Sequence, residues 1–373
     1  MRIVGYVCDS SLNKQLDKIE QIAGRCSLVN HLVYAYKLNT KLSVLKSAPA
    51  TDEEILSFHS TDFIQRLKDA NDVTDIEKYE DSLEEYGLGY DCPLFLGIYD
   101  FVRAIVGSSI VAARSLISGS NNIAINWYGG WHHAQREEAK GFCYANDIVC
   151  AINTLRQHFT RVLYIDLDIH HGDGVENAFA FSRNVLTFSL HKYEAGFYPG
   201  SGAITDVGRG NGRFYSVNVP LHDGIRDEPY FKIFDRVSSS IHTAFQPDAI
   251  VVQCGCDSLC GDPLGTFNLT LKGMGQCVRR ILSWEKPTLF LGGGGYNITN
   301  AARCWTYITS LILNCNLSSE IPDNHFFEKY GPGFELDIMQ GNRPDHNTEQ
   351  YIESCIKTIT GKIQNILTTD ISF

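Results

Sequence analysis

In "VLYIDLDIHHGDG", residues 162–174, an apolar run leads straight into Asp166, Asp168, His170, His171 and Asp173. Burying one uncompensated carboxylate is costly and burying several costs more, so the pattern calls for a cation. Successive residues of an extended chain alternate sides. Asp166, Asp168 and His170 therefore share one face, while Leu167 and Ile169 point into the core. Asp168 and His170 can reach one point in space, with Asp257 as a third ligand from the end of another strand. Two carboxylates and a neutral imidazole balance a divalent ion, and three protein ligands leave a position open for water or substrate, as catalytic zinc sites require. Oxygen-rich ligation suits Fe(II) or Mn(II) as well, so the metal stays open at this point. The alternative is an Asp/His cluster that caps and hydrogen-bonds the following helix; Asp173 alone could be such a cap.

A second pair, His132–His133, lies in "YGGWHHA". Each imidazole needs an acceptor to fix its tautomer. Asp166 and Asp173 are the natural candidates, which gives two His–Asp dyads suited to proton transfer. The remaining histidines, such as His31, His158, His242 and His346, read as structural. "LGGGGYN", 291–297, lacks the Lys-Ser/Thr of a phosphate loop. Its glycines let backbone approach a ligand, and Tyr296 could donate to a developing oxyanion. A tight strand–helix turn with a core tyrosine is the other reading of that stretch.

The elements that must position these groups alternate. Strands are expected at 2–7, 122–127, 161–166, 185–190, 215–220, 249–254 and 288–292. Helical patterns fall at 13–38, 51–69, 95–118, 146–157, 228–245, 269–284 and 298–314. Alternation of this kind argues for an α/β fold, a mostly parallel sheet with helices on both faces. No repeat or Pro/Gly/Ser-rich linker divides the 373 residues, so one domain over 1–373 is expected. In such sheets ligands bind beyond the carboxyl ends of the strands. Four of the expected strands end there in "YGGWHHA", "LDIHHGDG", "GCDSLCGD" or "GGGYN".

Composition narrows the function classes. The net charge of −11 comes with no basic face, which disfavours nucleic-acid binding and favours basic partners. The acidic stretch 72–91 reads as a solvated surface that could also steer a lysine-rich peptide. Twelve scattered cysteines without a C-x-x-C pair suggest free thiols in a reducing compartment. Neither a signal peptide nor a membrane span is expected.

Taken together, "GWHHAQREEAKGFCYANDI", "YIDLDIHHGDGVE", "FSLHKYEAGFYPGSG", "CGCDSLCGDPLGTFNL" and "LGGGGYNITNAARCW" resemble the zinc-dependent histone deacetylase family, from about residue 5 to about residue 345. The likeness is to class I, and within it to the type-eight members, whose short C-terminus the chain shares. It implies the arginase/deacetylase-like fold and hydrolysis of N6-acetyl-lysine in histones or other proteins. It implies Asp168, His170 and Asp257 as ligands of one zinc or ferrous ion, and His133 with Asp173 as general base and acid. His132 with Asp166 would give electrostatic help, and Tyr296 would polarise the acetyl carbonyl. Asp91, Gly141, Phe142, Tyr198, Leu264 and Gly294 would bind substrate, and Arg25 would sit by an inner acetate channel. Potassium would bind at Asp166, Asp168, His170, Ser189 and Leu190, and again at Phe179, Ser182, Val185 and Tyr215. The family suggests the nucleus, the cytoplasm or both.

Three positions depart from the family's pattern. Tyr198 replaces a common phenylalanine, Cys256 puts a thiol beside a ligand, and Leu96 stands where a polar residue is usual. Two rival readings are another amidohydrolase on a similar fold, acting on acetylated polyamines or, more distantly, a two-manganese ureohydrolase, and a non-catalytic acetyl-lysine binder or corepressor scaffold.

Overall fold

Eight short runs line up as one parallel sheet: β1 Val4–Val7, β2 Ser43–Leu45, β3 Ile123–Asn126, β4 Val162–Asp166, β5 Val185–Lys192, β6 Ser216–Leu221, β7 Ala249–Gln253 and β8 Thr288–Leu291. This computed structural model describes residues 3–72 and 84–369. The strand order is β2-β1-β3-β8-β7-β4-β5-β6, and every pairing is parallel. The seven expected strands are all present. β2 is an addition: a three-residue edge strand, largely exposed, which carries no buried apolar run to announce it.

Both faces of the sheet are covered. Along β4, Val162 and Tyr164 join the core on one side, and Leu163 and Ile165 join the core on the other. That explains the absence of polar alternation in these strands. Helices 98–117 and 147–155 pack on the first side, and 227–245, 271–282 and 298–312 on the second.

Two expected helices are split. The span 13–38 becomes Ser10–Leu16, a turn, and Arg25–Ala35, because Gly24 adopts φ +79 and starts a new helix. The span 51–69 becomes Asp52–Leu56 and Thr61–Asp69, each with its own cap: Thr51 in a reciprocal capping box with Glu54, and Ser60 accepting from Phe63 N–H. A helix at Glu349–Thr369 was not anticipated. Its Ile352, Ile356, Ile359, Ile363 and Ile366 are buried at helical spacing.

The acidic stretch 72–91 lies largely outside the described residues. No described helix is long and apolar enough to cross a membrane. All twelve cysteines are free.

Sheet order concentrates the chemistry. The strands that end in the four unusual motifs are β3, β8, β7 and β4, which are consecutive neighbours in the sheet. Their carboxyl ends open onto one edge.

Candidate active site

At that edge Asp168, His170 and Asp257 converge, with ligand atoms all within 4.8 Å of one another. It is the one such group of three or more His, Cys, Asp or Glu among the described residues. Alternation past the end of β4 does the placing: Leu167 and Ile169 are fully buried in the core, which turns Asp168 and His170 to the opposite side. His170 Nδ1 lies 3.1 Å from Asp168 Oδ1 and 3.0 Å from Asp257 Oδ2. The backbone braces the carboxylates. Asp257 Oδ1 accepts from Ile169 N–H at 3.0 Å, and Asp168 Oδ2 accepts from Gly294 N–H at 2.9 Å. A Cβ at Gly294 would sit 2.0 Å from Asp257 Oδ2, so glycine is required there.

The donor set fits a divalent cation. Two buried carboxylates and an imidazole face one another with no lysine or arginine among them. Burial and the Asp168 charge push Asp257 up to about 7. His170 rises to about 10: burial opposes the shift, but the bonds and charges of the two carboxylates outweigh it.

His132 and His133 stand beside the triad on the loop after β3, their ring centroids 3.9 Å apart. His132 Nδ1 lies 2.8 Å from Asp166 Oδ2, and His133 Nδ1 lies 2.7 Å from Asp173 Oδ1. Their charge states diverge. Burial works against a proton on His132, yet Asp166 and Asp168 raise it to about 9. Burial, then the neighbouring His132 charge, drives His133 down to about 3. Tyr296 is held protonated well above its ordinary value by burial and by the charges of Asp257 and Asp168. Its ring lies 5.8 Å from that of Phe142.

One cavity touches Arg25, His132, His133, Gly141, Phe142, Asp168, Gly294 and Tyr296. Arg25 is buried, donates to Gly295 O at 2.8 Å, and stacks on Trp305 at 4.8 Å. Gly141 and Phe142 both take positive φ, +56 and +65. Asp91 Oδ2 accepts from Gly141 N–H at 2.8 Å, which ties the rim to the cavity wall. The Tyr198 ring is 5.0 Å from His133 and 6.2 Å from His170. Leu264 is 42% exposed, at the surface.

The residues expected for potassium divide into two sets. Asp166 pairs in register with Ser189 across β4 and β5, with Leu190 next along the strand. Elsewhere, Ser182 N–H donates to Phe179 O at 2.8 Å, Val185 begins β5, and Tyr215 O accepts from Thr187 N–H at 2.9 Å. Of the departures, Cys256 is buried with its thiol toward Cys254 O at 3.5 Å. Leu96 is exposed, and its carbonyl accepts from Lys18 Nζ at 3.1 Å.

Sequence reasoning missed four supporting residues. Gln253, at the end of β7, donates to Asp168 Oδ2 at 2.7 Å and accepts from Gly255 N–H at 2.7 Å. A glutamine closing an apolar strand was the available signal. Asp147 accepts from Trp131 N–H at 2.8 Å and fixes the loop that carries the histidine pair. Asp262 accepts from Tyr296 N–H at 2.7 Å. His59 bridges Arg136 O and Asn146 N–H. None of these three had a local signal, because each partner is more than fifteen residues away in the chain.

A histone deacetylase domain matches residues 20–312. Histone deacetylase 8 of Xenopus tropicalis is 46% identical over 363 residues, covering 97% of this chain and 98% of that protein. Histone deacetylase 8 of Xenopus laevis is 49% identical over 324 residues, 87% of this chain and 99% of its own length. Human histone deacetylase 1 is 45% identical over 329 residues, 88% of this chain and 68% of its own. With a parallel sheet whose four motif-bearing strands lie side by side, and with similarity along nearly its entire length, the chain belongs to the histone deacetylase family of zinc-dependent hydrolases.

Proposed function

We propose that the chain hydrolyses the side-chain amide of N6-acetyl-lysine in histone tails and other proteins, releasing acetate. The observation that carries this reading is the convergence of Asp168, His170 and Asp257 beside the cavity that also receives His133 and Tyr296. Those three side chains would hold one zinc or ferrous ion. When bound, the ion supplies Lewis acidity, which polarises the acetyl carbonyl and makes water a better nucleophile.

The chain's own residues divide the remaining work. His133, kept neutral, takes the proton from the attacking water at Nε2, while Asp173 holds Nδ1. His132, kept cationic by Asp166, supplies positive charge beside the reacting centre. Tyr296 donates its phenolic hydrogen to the oxyanion. His133 then returns its proton to the departing amine, and the C–N bond breaks to give lysine and acetate.

Asp91 would hold the substrate's backbone at the rim, with Gly141, Phe142, Tyr198, Leu264 and Gly294 around the side chain. Burying four lysine methylenes contributes roughly 3 kcal/mol to binding. Arg25 would border the route by which acetate leaves. Potassium would sit at Asp166, Asp168, His170, Ser189 and Leu190, and at Phe179, Ser182, Val185 and Tyr215. Neither nucleic acid nor membrane is a partner in this reading, and the enzyme would act in the nucleus, the cytoplasm or both.

The test is acetate release from a panel of acyl-lysine peptides by metal-depleted protein refilled with Zn(II) or Fe(II). Restored release from acetyl-lysine is the expected result. Peptide binding without acetate would overturn the reading in favour of an acetyl-lysine binder. Two catalytic transition metals per chain would point to a ureohydrolase instead.

A further inference from the structure

We propose that Lys140 is a positioning residue for this reaction: its ammonium fixes the carboxylate that orients the base, and its backbone turn carries the cavity wall. The inference rests on the assignment of His133 as the base.

The two His–Asp dyads differ in what else meets their carboxylates. Asp166 accepts from His132, from Tyr164 Oη at 2.6 Å and from Asp168 N–H at 3.1 Å, and among the described residues no lysine or arginine pairs with it. Asp173 gives Oδ1 to His133 Nδ1 at 2.7 Å and Oδ2 to Lys140 Nζ at 2.7 Å. Among the described residues, its one further side-chain donor is the neutral amide of Gln135, 3.2 Å from Oδ2. The Asp173 side chain is only 4% exposed, against 32% for Lys140. A nearly buried carboxylate is held firmly when both oxygens meet charged or strongly polar donors. Without Lys140, Oδ2 would keep a single long neutral bond. The carboxylate could then turn about its Cβ–Cγ bond and lose its line to His133.

The same residue controls the wall. Lys140 and Cys143 exchange backbone N–H···O bonds at 2.9 Å each, closing a turn with Gly141 and Phe142 at its tip. That turn lies directly against the base, since a Cβ on Gly141 would fall 2.6 Å from His133 Cδ2. The Lys140 ammonium also stands 5.9 Å from the Tyr198 ring. One side chain thus links the turn, the carboxylate and the aromatic beside the base. Groups that hold a metal ligand from behind typically cost 10- to 100-fold in activity when lost, and Lys140, which acts on His133 through Asp173, is expected near the lower end of that range.

The experiment compares K140M and K140R with the parent zinc-loaded enzyme on one acetylated peptide, recording kcat, KM, bound metal and melting temperature. K140M should lose about tenfold or more in kcat, with KM and metal content close to the parent's. K140R, which keeps the charge, should recover most of the loss. The assignment fails if K140M retains kcat within about twofold, if the loss lies in KM, or if K140R, equally stable and metal-loaded, recovers nothing. If K140M cannot be purified folded, K140Q against K140R makes the same comparison. A parent that releases no acetate overturns the proposed function and this assignment with it. An active parent with an unimpaired K140M overturns this assignment alone.

Discussion

Loading the triad with a divalent ion must expel protons, and their number follows from the site. His170 Nδ1 lies between the two carboxylates, 3.1 Å from Asp168 Oδ1 and 3.0 Å from Asp257 Oδ2. Those carboxylates hold its proton up to about 10 despite burial. Burial and the Asp168 charge bring Asp257 up to about 7, while Asp168 stays ionised, its value lowered against burial by His132 and His170. An ion needs the imidazole neutral and both carboxylates ionised. At pH 7.5 uptake should release about one proton from His170 and a minor fraction from Asp257, rising towards about two below pH 6.5. Displacing the His170 proton at pH 7.5 offsets on the order of 3 kcal/mol of intrinsic binding. Apparent affinity should therefore fall about tenfold per pH unit from 9 to 7.5, and more steeply below 7. Calorimetric zinc titrations at pH 7.5 in buffers of different protonation enthalpy count the protons directly. A release below about half a proton per ion would mean that the three side chains do not form the buried, mutually neutralising cluster described above.

Further expectations concern single residues. Tyr296→Phe should lower kcat by about 100- to 1000-fold, as loss of one oxyanion donor does; steady-state turnover above a tenth of the parent's would remove that role. Gly141→Ala places a methyl 2.6 Å from His133 Cδ2 and 2.7 Å from Tyr198 Oη at φ +56. It should cost about 1–3 kcal/mol in stability as well as activity, and an unchanged melting temperature with unchanged kcat/KM would contradict the packing. His59 is lowered by burial to about 4, below its ordinary 6.5. Between those values the unfolded chain binds a proton that the folded protein does not, so stability is intact above 6.5 and is lost as pH falls towards 4. Urea unfolding should show about 2 kcal/mol lost from this group between pH 7 and pH 5, and His59→Gln should flatten the slope; an equal slope in the variant would show that His59 titrates normally.

The sheet and the Asp168–His170 half of the triad were legible because each is written locally, whereas Asp257 joins from another strand end, 87 residues beyond His170. The apolar runs 162–165 and 249–252 are strands buried on both faces, and alternation alone carries Asp168 and His170 to the side opposite Leu167 and Ile169. Helix breaks were harder to see. The first helix stops at Leu16, and Gly24 at φ +79 opens the next at Arg25, while Ser60 restarts another through a single cap. The bracing residues were hidden for a different reason. Asp262 matters because the fold sets it against Tyr296 N–H, Asp147 because it receives Trp131 N–H, and Lys140 because it reaches Asp173. Each looks in sequence like an ordinary charged residue, and its significance lies in a contact that only the tertiary structure creates.

The histidine pair shows how such contacts bear on chemistry. Two imidazole rings 3.9 Å apart and shielded from water cannot both carry a proton without strong repulsion. Asp166 lies in the buried end of β4, and its charge, with that of Asp168, settles the proton on His132. Asp173 starts the helix Asp173–Phe179 and divides its two oxygens among His133, Lys140 and Gln135. His133 is then left neutral, with the cation next door and burial both opposing its protonation. A neutral imidazole whose Nδ1 is tied to a carboxylate presents Nε2 as an acceptor, whereas the cationic His132 has no lone pair to offer. The asymmetry between two adjacent, chemically identical side chains supports His133 as the base, and it arises from what stands behind each ring.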